Sequence, residues 1–215
     1  MEYESILFDL DGTLTDSAVG IINSVIYALE KYDIKVNDRK ELNKFIGPPL
    51  KDSFECYYGF SKEQAKTAVE YYREYYRKRG IFENLIYDGI EDLLKTLKYN
   101  NKTLVVATSK PEVFAQQILE NFHIAKYFMY IAGSNLDGTR VKKDEVIQYA
   151  LESCNITNLP KVIMIGDREH DINGAKNVGI DSIGVLYGYG DRVELEKAGA
   201  DFIVNTVLDI EKMLI

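Results

Sequence analysis

Phe8-Asp9-Leu10-Asp11-Gly12-Thr13-Leu14 closes the first apolar run of the chain, Ile6-Leu7-Phe8. A short continuous apolar run that stops at turn residues predicts a strand buried on both faces of a parallel sheet. Carboxylates two residues apart on a strand point to the same side. Asp9 and Asp11 stand where the apolar run stops, so they emerge at the carboxyl end of the strand, where α/β sheets place ligands. Gly12 then permits a sharp exit. Two like charges this close repel strongly unless a cation sits between them or one is protonated. A hard divalent cation with oxygen ligands fits best, and Mg²⁺ is the common choice.

Similar apolar runs recur at Leu104-Val105-Val106-Ala107, Met129 to Ala132, Val162 to Ile165, Ile183-Gly184-Val185 and Phe202-Ile203-Val204. Helical patterns lie between most of them. Pro111 opens one, with Val113, Phe114, Ile118 and Leu119 at helical spacing. Another carries Val146, Ile147, Ala150 and Leu151, and a shorter one runs from about Asp171 to Asn177 before Gly179. Strands alternating with helices predict an α/β, doubly wound parallel-sheet core of Rossmann-like form.

The interval from Leu10 to Thr103 breaks that rhythm and contains no convincing strand. Ala18, Ile21, Ile22, Val25, Ile26 and Leu29 form one apolar stripe, with Asp16 or Ser17 as its N-cap. Ser61-Lys62-Glu63-Gln64 is a capping-box pattern opening a helix expected to end at Gly80. Tyr71, Tyr72, Tyr75 and Tyr76 on that helix read most simply as packing. The expected division is a core of residues 1–15 and 83–215 with an all-helical insertion at 16–82, followed by a core helix around Gly89 to Tyr99.

Of the 215 residues, 46% are hydrophobic and 28% charged, the balance of a globular protein rather than a disordered one. No window reaches the ~18 consecutive apolar residues of a spanning helix. The acidic start Met1-Glu2-Tyr3-Glu4 runs straight into a strand, so no leader and a cytoplasmic address are expected. With 34 acidic and 26 basic side chains the net charge is −8, which disfavours nucleic acid or an anionic membrane as partner. Cys56 and Cys154 give neither a disulfide framework nor a zinc pattern and read as packing residues. Two histidines, His123 and His170, cannot build a multi-histidine metal site. The chemistry rests on carboxylates.

Asp9-Leu10-Asp11-Gly12-Thr13 resembles the first motif of the haloacid dehalogenase-like phosphohydrolases. Three further motifs follow in that family's order: Val105-Val106-Ala107-Thr108, Lys143, and Ile165-Gly166-Asp167-Arg168-Glu169-His170-Asp171. Gly47-Pro48-Pro49-Leu50 resembles the phosphoglycolate phosphatase-like branch, whose cap is helical. The resemblance implies an Mg²⁺-dependent phosphatase acting on a small soluble phosphate monoester, and leaves open whether it is a monomer or homodimer. Asp9 is then the expected nucleophile, forming an aspartyl-phosphate. Asp11 protonates the leaving group and later takes a proton from water, and its backbone carbonyl, not its side chain, also binds the metal. The Thr108 hydroxyl is expected on a phosphoryl oxygen. One lysine neutralises the transferring group: Lys143 is favoured by its place at a helix start, with Lys142 and Lys110 as alternatives. Asp167 is a direct metal ligand, whereas Asp171, one helical turn on, binds directly or through water. His170 reads as a neighbour of the site.

The motifs name a chemistry and not a substrate. Phosphoglycolate, nucleoside monophosphates, sugar phosphates and pyrophosphate are all compatible. So is a mutase of the β-phosphoglucomutase type, and, against the long insertion, an aspartyl-phosphorylated signalling domain. Gly188-Tyr189-Gly190 lacks the third glycine of a dinucleotide fingerprint and reads as a flexible βα loop. Asp137-Gly138-Thr139 also reads as a loop.

Overall fold

The computed structural model describes residues 3–215; Met1 and Glu2, on which the expectation of no leader partly rests, lie outside them. In chain order the elements are β1 (Ser5–Phe8), β2 (Thr15–Asp16), α1 (Ala18–Glu30), α2 (Leu50–Tyr58), α3 (Lys62–Lys78), β3 (Leu85–Ile86), α4 (Ile90–Tyr99) and β4 (Thr103–Pro111). They continue with α5 (Glu112–Asn121), β5 (Tyr130–Ser134), α6 (Lys143–Ser153), β6 (Val162–Gly166), α7 (Glu169–Val178), β7 (Asp181–Val185), α8 (Arg192–Ala198), β8 (Phe202–Val204) and α9 (Val207–Leu214). Two units result: the residues through Thr15 together with Ile86–Ile215, and Asp16–Leu85.

The first unit is built on a six-stranded parallel sheet in the order β5-β4-β1-β6-β7-β8. All of β1 and β6 is buried, which is why their sequences are continuous apolar runs rather than alternating ones. β1 is flanked on both sides: Leu7 lies opposite Val105 of β4 and Met164 of β6. From β1 the chain winds outward to β5, then returns to β6 on the other side of β1 and winds outward again. The order therefore reverses beside β1, and the carboxyl ends of β1, β4 and β6 meet at that switch point. Val146, Ile147, Ala150 and Leu151 of α6 share one core with Leu7, Val105 and Met164. On α4, Ile90, Leu93, Leu94 and Leu97 form the buried face.

The second unit is helical. Ile21, Ile22, Val25, Ala28 and Leu29 of α1 are buried. Ser17 is the N-cap of α1, and Asp16 Oδ1 accepts from the Ala18 N–H at 3.2 Å. At the start of α3 the Gln64 N–H donates to Ser61 Oγ at 3.2 Å and the Ser61 N–H to Gln64 Oε1 at 2.9 Å. The tyrosines of α3 pack inside this unit: Tyr72 stacks on Tyr76 with centroids 5.3 Å apart, Tyr71 meets Tyr32, and Tyr75 meets Tyr27.

Some local expectations are corrected. The interval from Leu10 to Thr103 does hold strands, β2 and β3, but each has two residues, too few to show any period. α3 ends at Lys78, and Gly80 belongs to a following 3-10 turn, Gly80–Phe82, that closes back on α1: a side chain at Gly20 would meet the Gly80 carbonyl. The strand expected from Met129 begins at Tyr130 and runs to Ser134, leaving Met129 exposed. α7 starts at Glu169 because the Asp171 carboxylate accepts from the Arg168 N–H and so caps it. Cys154 is buried, but Cys56 is exposed on α2.

Leu7 is fully buried. Leu7→Ala is expected to cost about 2–5 kcal/mol, as buried leucine truncations do. The control Leu208→Ala, at an exposed position of α9, is expected to stay within about 0.5 kcal/mol of the parent. Urea melts check both; equal midpoints for the two variants would contradict the placement of β1 in the core.

Candidate active site

β1 ends at Phe8, and the Asp9 N–H donates to the Ile165 carbonyl of β6 at 2.9 Å, so Asp9 is carried just past the sheet. The chain then turns tightly: the Leu10 carbonyl accepts from the N–H groups of Leu14 and Thr15 at 2.9 and 3.0 Å. Gly12 sits in this turn at φ 85°, a left-handed conformation, and any Cβ there would overlap the Asp167 carboxylate. Both constraints demand glycine.

β6 carries Asp167 to the same place from the neighbouring strand, and the first turn of α7 adds Asp171. Asp9, Asp167 and Asp171 are buried, and one carboxylate oxygen of each lies within 4.8 Å of those of the other two. Lys143, the first residue of α6, reaches into this cluster. Its Nζ stands 2.7 Å from Asp9 Oδ1, 2.7 Å from Asp171 Oδ1 and 3.1 Å from the Ala107 carbonyl. Gly174 of α7 leaves room for that side chain, since a Cβ there would come within 2.7 Å of Lys143 Cγ.

Burial pushes the Asp9 carboxyl above its ordinary value; Lys143 opposes this and Asp171 reinforces it. Asp167 is pushed up further, by burial first and then by Asp171 and Asp9, against the Tyr189 N–H and Arg168. For Lys143, burial alone would lower the ammonium, yet the Asp171 and Asp9 carboxylates outweigh it and hold it raised. Three buried carboxylates against one ammonium leave two negative charges uncompensated when all are ionised. With oxygen as the only donor element, this set suits a hard dication such as Mg²⁺. The residues present therefore fit the metal that the sequence implied.

Asp11 departs from the placement that strand alternation predicts. Its side chain does not join Asp9 around one cation position, because the chain is already turning at Leu10 and strand alternation no longer applies. Asp11 Oδ2 instead pairs with Lys110 Nζ at 2.7 Å, and both side chains are buried. Thr108 is buried on β4, with its Oγ1 accepting from the Lys110 N–H at 3.3 Å. Of the three candidate lysines, Lys143 is the one in the acidic cluster, Lys110 is engaged by Asp11, and Lys142 is exposed. His170 does not enter the cluster, whose members among the described residues are the three aspartates.

The Gly188-Tyr189-Gly190 segment is more than a flexible loop. The Tyr189 N–H donates to Asp167 Oδ2 at 2.8 Å, and side chains at Gly188 or Gly190 would overlap Asp167. The Thr13 hydroxyl donates to Asp167 Oδ1 at 3.4 Å. Two glycines following a strand at its carboxyl end were the available signal for this backbone approach. Asp137-Gly138-Thr139 is a closed turn, its Asp137 Oδ1 accepting from the Thr139 N–H and hydroxyl.

Comparison with known proteins bears on this arrangement. Residues 6–185 match the family model described as haloacid dehalogenase-like hydrolase. A 5′-nucleotidase of Pseudomonas aeruginosa is 47% identical over 195 residues, spanning 91% of this chain and 88% of that protein. The tyrosine-protein kinase PtkA of Mycobacterium tuberculosis is 38% identical over 201 residues, spanning 93% and 68%. A crystal structure of a predicted phosphatase from Clostridium acetobutylicum superposes with a TM-score of 0.97 at 55% identity, over 100% of this chain and 99% of that one. Phosphoglycolate phosphatases and a pyrophosphatase are among the more distant relatives.

The raised Asp167 and Asp9 have a consequence for pH. A carboxyl raised in the folded state adds stability that is full below its unfolded pKa and is lost as pH climbs through the raised value. Metal-free protein is thus expected to lose thermal stability from mildly acidic to neutral pH and above, and Asp167→Asn to flatten that slope. Mg²⁺ is expected to raise the melting temperature of the parent at neutral pH more than that of the variant. Melting curves across pH, with EDTA and with Mg²⁺, check this; an identical slope in the variant would refute the electrostatic account.

Proposed function

This chain belongs to the haloacid dehalogenase-like hydrolase family, in its phosphoglycolate phosphatase-like branch, and we propose that it is an Mg²⁺-dependent phosphatase that hydrolyses a small phosphate monoester through an aspartyl-phosphate on Asp9. The observation that carries this reading is Lys143 held at 2.7 Å from both Asp9 and Asp171 beside the buried Asp167.

A phosphate monoester is anionic, so a carboxylate attacks it only where positive charge screens the approach. Asp9, Asp167, Asp171 and the Asp11 backbone carbonyl are the groups assigned to hold Mg²⁺, which when bound supplies that screening. An Asp9 oxygen attacks phosphorus as the ester oxygen departs, and Asp11 gives that oxygen its proton. In the second half, Asp11 accepts a proton from water as the water attacks phosphorus, and Asp9 is released as carboxylate. Lys143 neutralises phosphoryl charge in both halves, and the Thr108 hydroxyl donates to a phosphoryl oxygen. By its place in the chain, between the nucleophile strand and α4, the helical unit Asp16–Leu85 is assigned the part of a cap that selects the substrate.

Phosphoglycolate-like esters head the substrate class on the branch resemblance. The relative named 5′-nucleotidase, at 47% identity, puts nucleoside monophosphates beside them. A panel of phosphoglycolate, nucleoside 5′-monophosphates, pyrophosphate and sugar phosphates, with and without EDTA, tests the class. Isomer in place of free phosphate from a sugar 1-phosphate would turn the reading to a mutase. Transfer from ATP to a tyrosine peptide would turn it to a kinase.

Asp9→Asn is expected to lower Mg²⁺-dependent hydrolysis of p-nitrophenyl phosphate by about 10³-fold or more, as loss of a covalent nucleophile does, with the fold retained by circular dichroism. Parent-like turnover in that variant would overturn the assignment of the nucleophile.

A further inference from the structure

The two lysines of the site do different work. Lys143 serves the acidic cluster, while Lys110 stands on the other aspartate, its Nζ 2.7 Å from Asp11 Oδ2 with both side chains buried. A buried ion pair is weak evidence for stability, because apolar residues of similar volume often serve as well. The backbone around Lys110 is also special. Ala107 of β4 faces Ala132 of β5, yet Pro111 faces Ser134, so four steps along β4 match two along β5. Such an irregularity re-aims a side chain and is frequent beside active sites. Gly133 accommodates it, since a Cβ there would come within 2.6 Å of the Lys110 carbonyl. The Lys110 N–H is tied to Thr108 Oγ1 at 3.3 Å.

Resting on the reading of Asp11 as the acid, we propose that Lys110 is a positioning residue that decides which oxygen of Asp11 carries the catalytic proton. A carboxylic acid can hold its proton on either oxygen. An ammonium donating to Oδ2 favours the carbonyl form of that oxygen, since a carbonyl accepts better than a hydroxyl, so the proton is carried on Oδ1. That atom is buried and makes no hydrogen bond among the described residues. During leaving-group departure the proton passes from Oδ1 to the ester oxygen as its bond to phosphorus breaks. Lys110 keeps its own protons throughout and fixes the carboxylate plane. In the second half the same oxygen takes the proton from water.

The test separates this role from a structural one by the basicity of the leaving group. A p-nitrophenolate departs without help, whereas an alkoxide needs the acid. kcat/KM reports only steps through that departure, and neither the glycerol of glycerol 2-phosphate nor the nitrophenol of p-nitrophenyl phosphate carries a further anionic substituent. Lys110→Met is expected to lower kcat/KM for glycerol 2-phosphate about 10–100-fold and that for p-nitrophenyl phosphate about threefold or less, within the range of general-acid contributions. Lys110→Gln gives the same ratio should the Met variant fail to fold. Asp11→Asn is the reference and is expected to shift the ratio at least as far. If Asp11→Asn shifts it and the Lys110 variants depress both substrates equally, the positioning role is wrong. If Asp11→Asn leaves the ratio unchanged, the reading of Asp11 as the acid fails instead.

Discussion

One buried ammonium, shared between Asp9 and Asp171, is the interaction on which the site depends. Carboxylates taken out of water and placed within a few ångströms of one another raise each other's proton affinity and resist ionisation. Lys143 offsets part of that cost from inside the cluster, and a dication suits the charge that remains. The fold delivers these charges from separate places: β1 brings Asp9, β6 brings Asp167, and the first turns of α7 and α6 bring Asp171 and Lys143. Each arrives at the end of an element whose apolar residues are anchored in the core, so the charged tips can be held against their mutual repulsion.

Backbone geometry completes what the charges begin. Asp167 is surrounded by glycine at 12, 188 and 190 because main chain must come where side chains cannot fit, and the Tyr189 N–H reaches its carboxylate through that gap. Gly166 likewise leaves space for the Asp171 carboxylate. A rigid polar frame of this kind lets charge develop on a transferring group with little rearrangement. Asp11 stands apart from it, held by a lysine of its own from β4.

The parallel α/β core was legible because buried strands leave continuous apolar runs, and Asp9, Thr108 and Asp167 were legible as polar residues ending such runs. Lys143 could be narrowed to a helix start but not separated from Lys142, since burial of a neighbouring side chain is set by tertiary packing. Pairing of Lys110 with Asp11 was hidden for two reasons: the strand ends before Asp11, and β4 slips its register between Ala107 and Pro111. The two-residue strands β2 and β3 carry no periodic signal, and exposure of Cys56 depends on which face of α2 is covered.

The central claim is that the Asp9 side chain becomes phosphorylated in every turnover. An acyl phosphate, unlike a carboxylate, is reduced by borohydride to an alcohol, which converts aspartate to homoserine. Protein quenched during steady turnover with Mg²⁺ and a good substrate, then reduced and analysed by peptide mass spectrometry, is expected to carry homoserine at position 9, and not when substrate is omitted. Homoserine at another aspartate, or intact Asp9 in protein quenched while its phosphoenzyme should be populated, would contradict the account.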